Sequence, residues 1–72
     1  MDRAAVARHL LTVENHVARG EMHITRQREI VASLSGYALE TAIAVLKTLE
    51  QTQELHVMDR ARLQRWLASE GA

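Results

Sequence analysis

Apolar residues recur along the chain at alternating spacings of three and four, the pattern of a helix that packs along another helix. In the first half this series comprises Val6, Leu10, Val13, Val17, Gly20, Ile24, Gln27, Val31 and Leu34. In the second half it comprises Leu39, Ala42, Leu46, Leu49, Gln53, His56, Arg60, Leu63 and Leu67. Each series runs too long to be the alternation of a strand, so the pattern predicts two long helices.

The segment between the two series carries the signals of a helix end. Gly36 suits the left-handed backbone that closes a helix, because glycine has no Cβ to clash there. Asp2 can cap the first helix with its carboxylate. We expect helices over about residues 3–34 and 38–69, joined by a turn at about 35–37. So short a connection makes the helices antiparallel neighbours, which predicts an all-α helical hairpin occupying residues 1–72 as a single domain.

Folding back at this turn places residues whose numbers sum to about 73 opposite each other. Leu10 then meets Leu63 and Leu34 meets Leu39, so apolar residues face each other at both ends of the hairpin. Apolar side chains also flank this seam. One flank carries Ile30, Val45 and Trp66 together with His9, His16 and His23, and the other carries Ile43 and Val57. A chain of 72 residues without cysteine has little core of its own and no disulfides, so we expect a homodimeric four-helix bundle that covers this surface.

The middle of the seam is polar. The positions without an apolar side chain are Gly20, Gln27, Gln53, His56 and Arg60. The register places His16 across from Asp59, and Glu14 within reach of Arg60. Two interpretations remain open: a polar layer that sets register and oligomeric state, which we favour, or a cluster that binds a small ligand, an anion or a metal. The candidate binding residues are His16, Gln53, His56, Asp59 and Arg60.

Metal and catalytic sites find little support in the pattern. Histidines one heptad apart lie about 10.5 Å apart along a helix axis, whereas a zinc–nitrogen bond is about 2.0–2.1 Å long. No two of His9, His16 and His23 can therefore bind one ion within a chain, although a symmetric pair could meet across a dimer axis. No nucleophile–base arrangement and no glycine-rich phosphate loop occurs. We expect no enzyme activity, no bound metal and no cofactor.

Charge and hydropathy argue against some classes of partner. Nine basic residues balance nine acidic ones, so the chain lacks the basic excess typical of nucleic-acid binding. The longest apolar run, residues 42–46, is far too short to span a membrane, and the start of the chain lacks the apolar core of a secretion signal. We expect a cytoplasmic, non-enzymatic interaction or regulatory module that acts through self-association or a protein partner. The alternative is a ligand- or metal-binding bundle using the central polar cluster.

Short motifs spread over nearly the whole chain resemble those of a group of very short bacterial helical proteins. The motifs are His-x3-Gly-Glu from His16, Gln27, Leu34-x-Gly36 and His56-x3-Arg60. The resemblance implies a free-standing small helical protein and no particular activity. It also implies that His16, Gly20, Gln27, His56 and Arg60 form one linked set. This chain departs from the group after the glycine, where Tyr37-Ala38-Leu39 replaces an Asp or Thr cap.

Overall fold

The computed structural model describes residues 2–70, and within that range the chain forms two α-helices and no strand. Helix α1 spans Arg3–Ser33 and helix α2 spans Gly36–Glu70. They pack along each other as a hairpin about 54 Å long and 14 by 13 Å across. The predicted all-α hairpin is confirmed. The predicted single domain of residues 1–72 includes three residues, 1, 71 and 72, that lie outside the described range.

The helix ends follow the local signals with one difference. Asp2 caps α1 as predicted, because its carboxylate accepts a hydrogen bond from the backbone N–H of Ala4 at 3.2 Å. Helix α1 ends where Leu34 adopts an extended backbone, with φ −106° and ψ 163°. Gly36 has the left-handed φ of 62° that its sequence position suggested. It stands at the first residue of α2, however, and not directly after α1, because the extended Leu34 moves the chain reversal towards the second helix.

The core of the hairpin is small and lies entirely on the predicted seam. The buried apolar residues are Val6, Val13, Val17, Ile24, Ala42 and Leu63. The largest cluster, formed by Val6, Val13 and Leu63, lies at the end of the hairpin away from the turn. Six buried apolar side chains among residues 2–70 are few for a domain of this length. The free energy gained by burying them must offset the conformational entropy lost by every ordered residue.

Three side-chain hydrogen bonds cross from one helix to the backbone of the other. Arg3 Nη1 donates to the Leu67 carbonyl at 3.0 Å, Gln27 Nε2 to that of Ala42 at 2.9 Å, and Gln53 Nε2 to that of Val17 at 2.8 Å. They lie at the open end, near the turn and at the middle of the hairpin. Because each contact requires one alignment of the helices, together they hold the register that the apolar seam sets.

Apolar surface remains exposed on both helices. The large exposed apolar residues are Leu11, Met22, Ile30, Leu34, Tyr37, Ile43, Val45, Leu55, Val57 and Met58. Between residues 2 and 70 neither helix is apolar over a length that would cross a bilayer.

Candidate functional site

A groove of about 310 Å³ opens beside the seam near the middle of the hairpin. Its lining comprises His16, Arg19, Gly20 and His23 of α1, and Leu49, Thr52, Gln53 and His56 of α2. Three of the four histidines of the chain therefore share one concave surface. Of the five candidate residues, His16, Gln53 and His56 come together here, whereas Asp59 and Arg60 lie outside the lining.

Gly20 makes room for the side chain of Gln53. A Cβ atom added at Gly20 would overlap Oε1 of Gln53 and lie 2.7 Å from its Cδ. The side-chain amide of Gln53 on α2 thus occupies the space that a side chain at position 20 of α1 would fill. That amide then donates from Nε2 to the carbonyl of Val17, which lies on the same part of α1.

The amide of Gln53 is only half satisfied. Its Oε1 atom is buried and has no hydrogen-bond partner among the described residues. A buried acceptor without a partner costs on the order of 1–3 kcal/mol. The polar middle of the seam is therefore incompletely paired at Gln53.

His16 and His56 lie side by side, one on each helix. Their ring centroids are 5.0 Å apart and the ring planes are tilted by 51°. His16 is exposed and His56 is half-buried. The seam register already placed His56 opposite Val17, the residue after His16, so this contact follows from the antiparallel packing.

Asp59 does not pair with His16 as the simple register predicted. Its carboxylate accepts a hydrogen bond from Arg62, one turn along α2, and lies 3.9 Å from Nε2 of His9. The expected position across from His16 does not lead to a pair, because Arg62 and His9 are the groups that meet the carboxylate. Asp59 meets the histidine one heptad before His16.

Glu14, expected within reach of Arg60, does not pair with it. Within residues 2–70 no ion pair of 4.0 Å or less joins them, and the pair across that side of the hairpin is Arg28 with Glu50, at 3.6 Å. Glu14 is exposed to solvent. An ion pair at such a surface contributes at most about 1 kcal/mol, which the entropy of two long side chains readily offsets.

The environment of Asp59 predicts a small effect at acid pH. The hydrogen bond from Arg62 lowers the pKa of Asp59 below its ordinary value of 3.8, while burial opposes the shift and the charges of Arg62, His9 and His56 assist it. Because the folded-state pKa is lowered, the stabilisation is present above the unfolded value and is lost as pH falls through the folded value.

We therefore expect the difference in melting temperature between the wild type and Asp59→Asn to shrink below about pH 4. Thermal melts from neutral to acid pH measure this difference. Glu54→Gln is the control, since Glu54 has no ion pair within 4.0 Å in residues 2–70. A difference for Asp59→Asn that stays constant over the whole range would contradict the assignment.

The two flanks of the seam differ in charge. The histidine flank, on the side of the groove, consists of His9, His16, His23, Ile30, Val45, Thr52, Asp59 and Trp66. The acidic flank, on the other side, consists of Ala7, Glu14, Glu21, Arg28, Ile43, Glu50, Val57 and Gln64. Apart from histidine, the first contains one charged residue and the second contains four. Two cations also lie beside the histidine flank, Arg19 in the groove and Arg62 on Asp59. A partner would therefore meet mainly negative charge on the acidic flank and positive charge at the edge of the histidine flank.

Sequence reasoning missed part of the groove. Arg19, His23, Leu49 and Thr52 line it but were not candidates. For His23 and Thr52 the heptad position was a usable signal, since both fall on the flank that carries His16. Arg19 lies outside the seam and its immediate flanks, so its place in the groove had no such signal.

Compared with models of protein families, with curated proteins and with solved structures, the chain matches none.

Proposed function

We propose that this chain is a non-enzymatic interaction module that acts by self-association, with two hairpins packing histidine flank against histidine flank in a four-helix bundle. The observation that carries the proposal is apolar surface beside the seam of a hairpin whose described residues, 2–70, bury six apolar side chains. Helices leave such a stripe exposed where another helix is to cover it.

The dimensions of the hairpin suit a stable dimer. One side of 54 by 14 Å offers roughly 750 Å² per copy, or about 1,500 Å² over both copies, and specific protein interfaces bury about 1,200–2,000 Å² in total. A second copy therefore provides enough contact without any further element. This supports a homodimer over a chain that works as a free hairpin.

Charge favours the histidine flank as the interface. The acidic flank carries Glu14, Glu21 and Glu50 against the single cation Arg28, so a two-fold axis there would place like charges together. On the histidine flank the single carboxylate, Asp59, already accepts a hydrogen bond from Arg62 of its own chain. The centres of protein interfaces are depleted of charge, and juxtaposed like charges oppose association.

Two valines on opposite flanks test the proposal. Val45 lies on the histidine flank and is 45% exposed, and Val57 lies on the acidic flank and is 38% exposed. We expect Val45→Glu to weaken dimerisation by roughly 100-fold or more, because burying an unpaired carboxylate costs several kcal/mol. Val57→Glu should leave the dimer intact. Light scattering on a size-exclusion column at micromolar concentration measures both, and circular dichroism confirms that both variants are helical.

Three results would overturn the proposal. A wild-type chain that is monomeric over this concentration range and still melts cooperatively would show that the hairpin does not need a second copy. If Val57→Glu dissociates the dimer and Val45→Glu leaves it intact, the interface lies on the acidic flank. Capture of a different protein by a monomeric wild-type chain would replace self-association with a heterotypic partner.

A further inference from the structure

His16 and His56 have the separation of two imidazoles that share a metal ion. Their centroids are 5.0 Å apart, and the 51° tilt shows that the rings are not stacked in parallel. Two rings joined to one zinc ion by bonds of about 2.0–2.1 Å at a tetrahedral angle have centroids roughly 5 Å apart. Because each ring belongs to a different helix, the hairpin itself holds them at this distance before any ion binds.

One chain supplies too few ligands to complete a site around this pair. Within residues 2–70 of a single chain, no three histidine, aspartate or glutamate side chains are grouped so that they could hold a metal ion. Closed zinc sites in proteins use four ligands. Any further protein ligands would therefore come from a second copy.

The His16–His56 pair lies near the middle of the hairpin, where a two-fold axis would place it next to the same pair of a second copy. His16 is the fourteenth of the 31 residues of α1, and His56 is the twenty-first of the 35 residues of α2. A two-fold axis through the pair, perpendicular to the hairpin, leaves the two hairpins overlapping over most of their length. A two-fold axis parallel to the hairpin places each residue beside its own copy. Both arrangements direct the two histidine pairs towards each other.

The imidazole donors of the pair, and not the charge around it, select a borderline cation held by nitrogen. The groove also carries His23 and Arg19, and the guanidinium of Arg19 sits on a long, exposed side chain that can extend into water. Asp59 follows His56 by one turn of α2 and places a carboxylate near the pair. Imidazole ligands suit zinc, nickel and copper, whereas magnesium and calcium require oxygen ligands.

We infer that His16 and His56 of two copies together bind one divalent transition-metal ion of the zinc class at the centre of the dimer. This inference rests on the proposed self-association through the histidine flank. The site would make the bundle a metal-responsive dimer, since an ion bound only by the paired copies stabilises the dimer by mass action.

Untagged protein titrated with zinc chloride at neutral pH tests the site. Calorimetry and elemental analysis after desalting should give one zinc ion per two chains, and the melting temperature should rise with zinc and not with magnesium. His16→Asn and His56→Asn should each weaken zinc binding by about tenfold or more. His9→Asn is the matched control, because His9 lies on the same flank but faces Asp59. It should bind zinc as the wild type does.

The outcomes separate the site from the dimer. A wild-type chain that dimerises without zinc and binds none overturns the site and leaves self-association standing. A dimer that forms only with zinc, and needs both histidines, supports the site and overturns the metal-free dimer. One zinc ion per monomer, or equal losses for His9→Asn and His16→Asn, overturns the shared site.

Discussion

Replacing Leu63 with alanine should lower the free energy of unfolding by about 2–5 kcal/mol. Leu63 is 2% exposed and packs with Val6 and Val13 in the main apolar cluster. Truncation removes buried methyl groups and leaves a cavity that two straight helices cannot close. Because the core is this small, the midpoint of urea denaturation of the variant should fall well below that of the wild type.

Urea denaturation followed by circular dichroism measures the loss. Wild type and variant must be compared at one protein concentration, because self-association would couple stability to concentration. Leu11→Ala is the matched control, since Leu11 is 67% exposed on the same hairpin and should change stability by less than about 0.5 kcal/mol. Equal losses for the two leucines would mean that the seam is not the core of the fold.

Gly20→Ala should stabilise the chain that carries Gln53→Ala by more than it stabilises the wild-type chain. In the wild type the added methyl group displaces the amide of Gln53 and breaks its hydrogen bond to the carbonyl of Val17. That loss costs about 0.5–1.5 kcal/mol, which offsets the roughly 0.5–1 kcal/mol that a helix gains when alanine replaces glycine. Without the amide, the whole gain remains.

A double-mutant cycle measures this difference. The two substitutions should be coupled by about 0.5–1.5 kcal/mol, whereas independent sites add to within about 0.3–0.5 kcal/mol. Gly36→Ala is the control, because Gly36 has a left-handed φ and open space around it. Its cost of about 1–2 kcal/mol comes from the backbone alone and should add to that of Gln53→Ala. An additive Gly20 cycle would refute the packing of Gln53 against Gly20.

If the two proposals hold together, the polar middle of the seam has two roles on different sides. The amides of Gln27 and Gln53 point at the partner helix of the same chain and hold the register. Beside them the exposed His16 on the flank contacts the half-buried His56 of the seam, where a second copy would meet them. The incompletely paired middle of the hairpin is then the region that the dimer completes.

Much of the fold could be predicted from the sequence, because its signals are local and repeated. All six buried apolar residues belong to the two series spaced by three and four. Each series continues over about nine positions, so single polar exceptions do not disturb it. Since the turn is short, two helices of this length have one way to pack. The exact entry to α2 was less predictable, because Gly36 permits several backbone paths and no capping residue follows it.

The sequence by itself determined the helices, their antiparallel pairing, the buried face and the polar character of the middle. Only the tertiary structure decided which polar side chains meet: His16 with His56, His9 with Asp59, and Gln53 in the space left by Gly20. The register fixes the alignment of the two backbones to within about one residue. A side chain on a flank, however, lies between two possible partners on the other helix, which are one heptad, or about 10.5 Å, apart along the axis. Rotamers and the stagger between the helices choose among them, and both arise only when the helices pack.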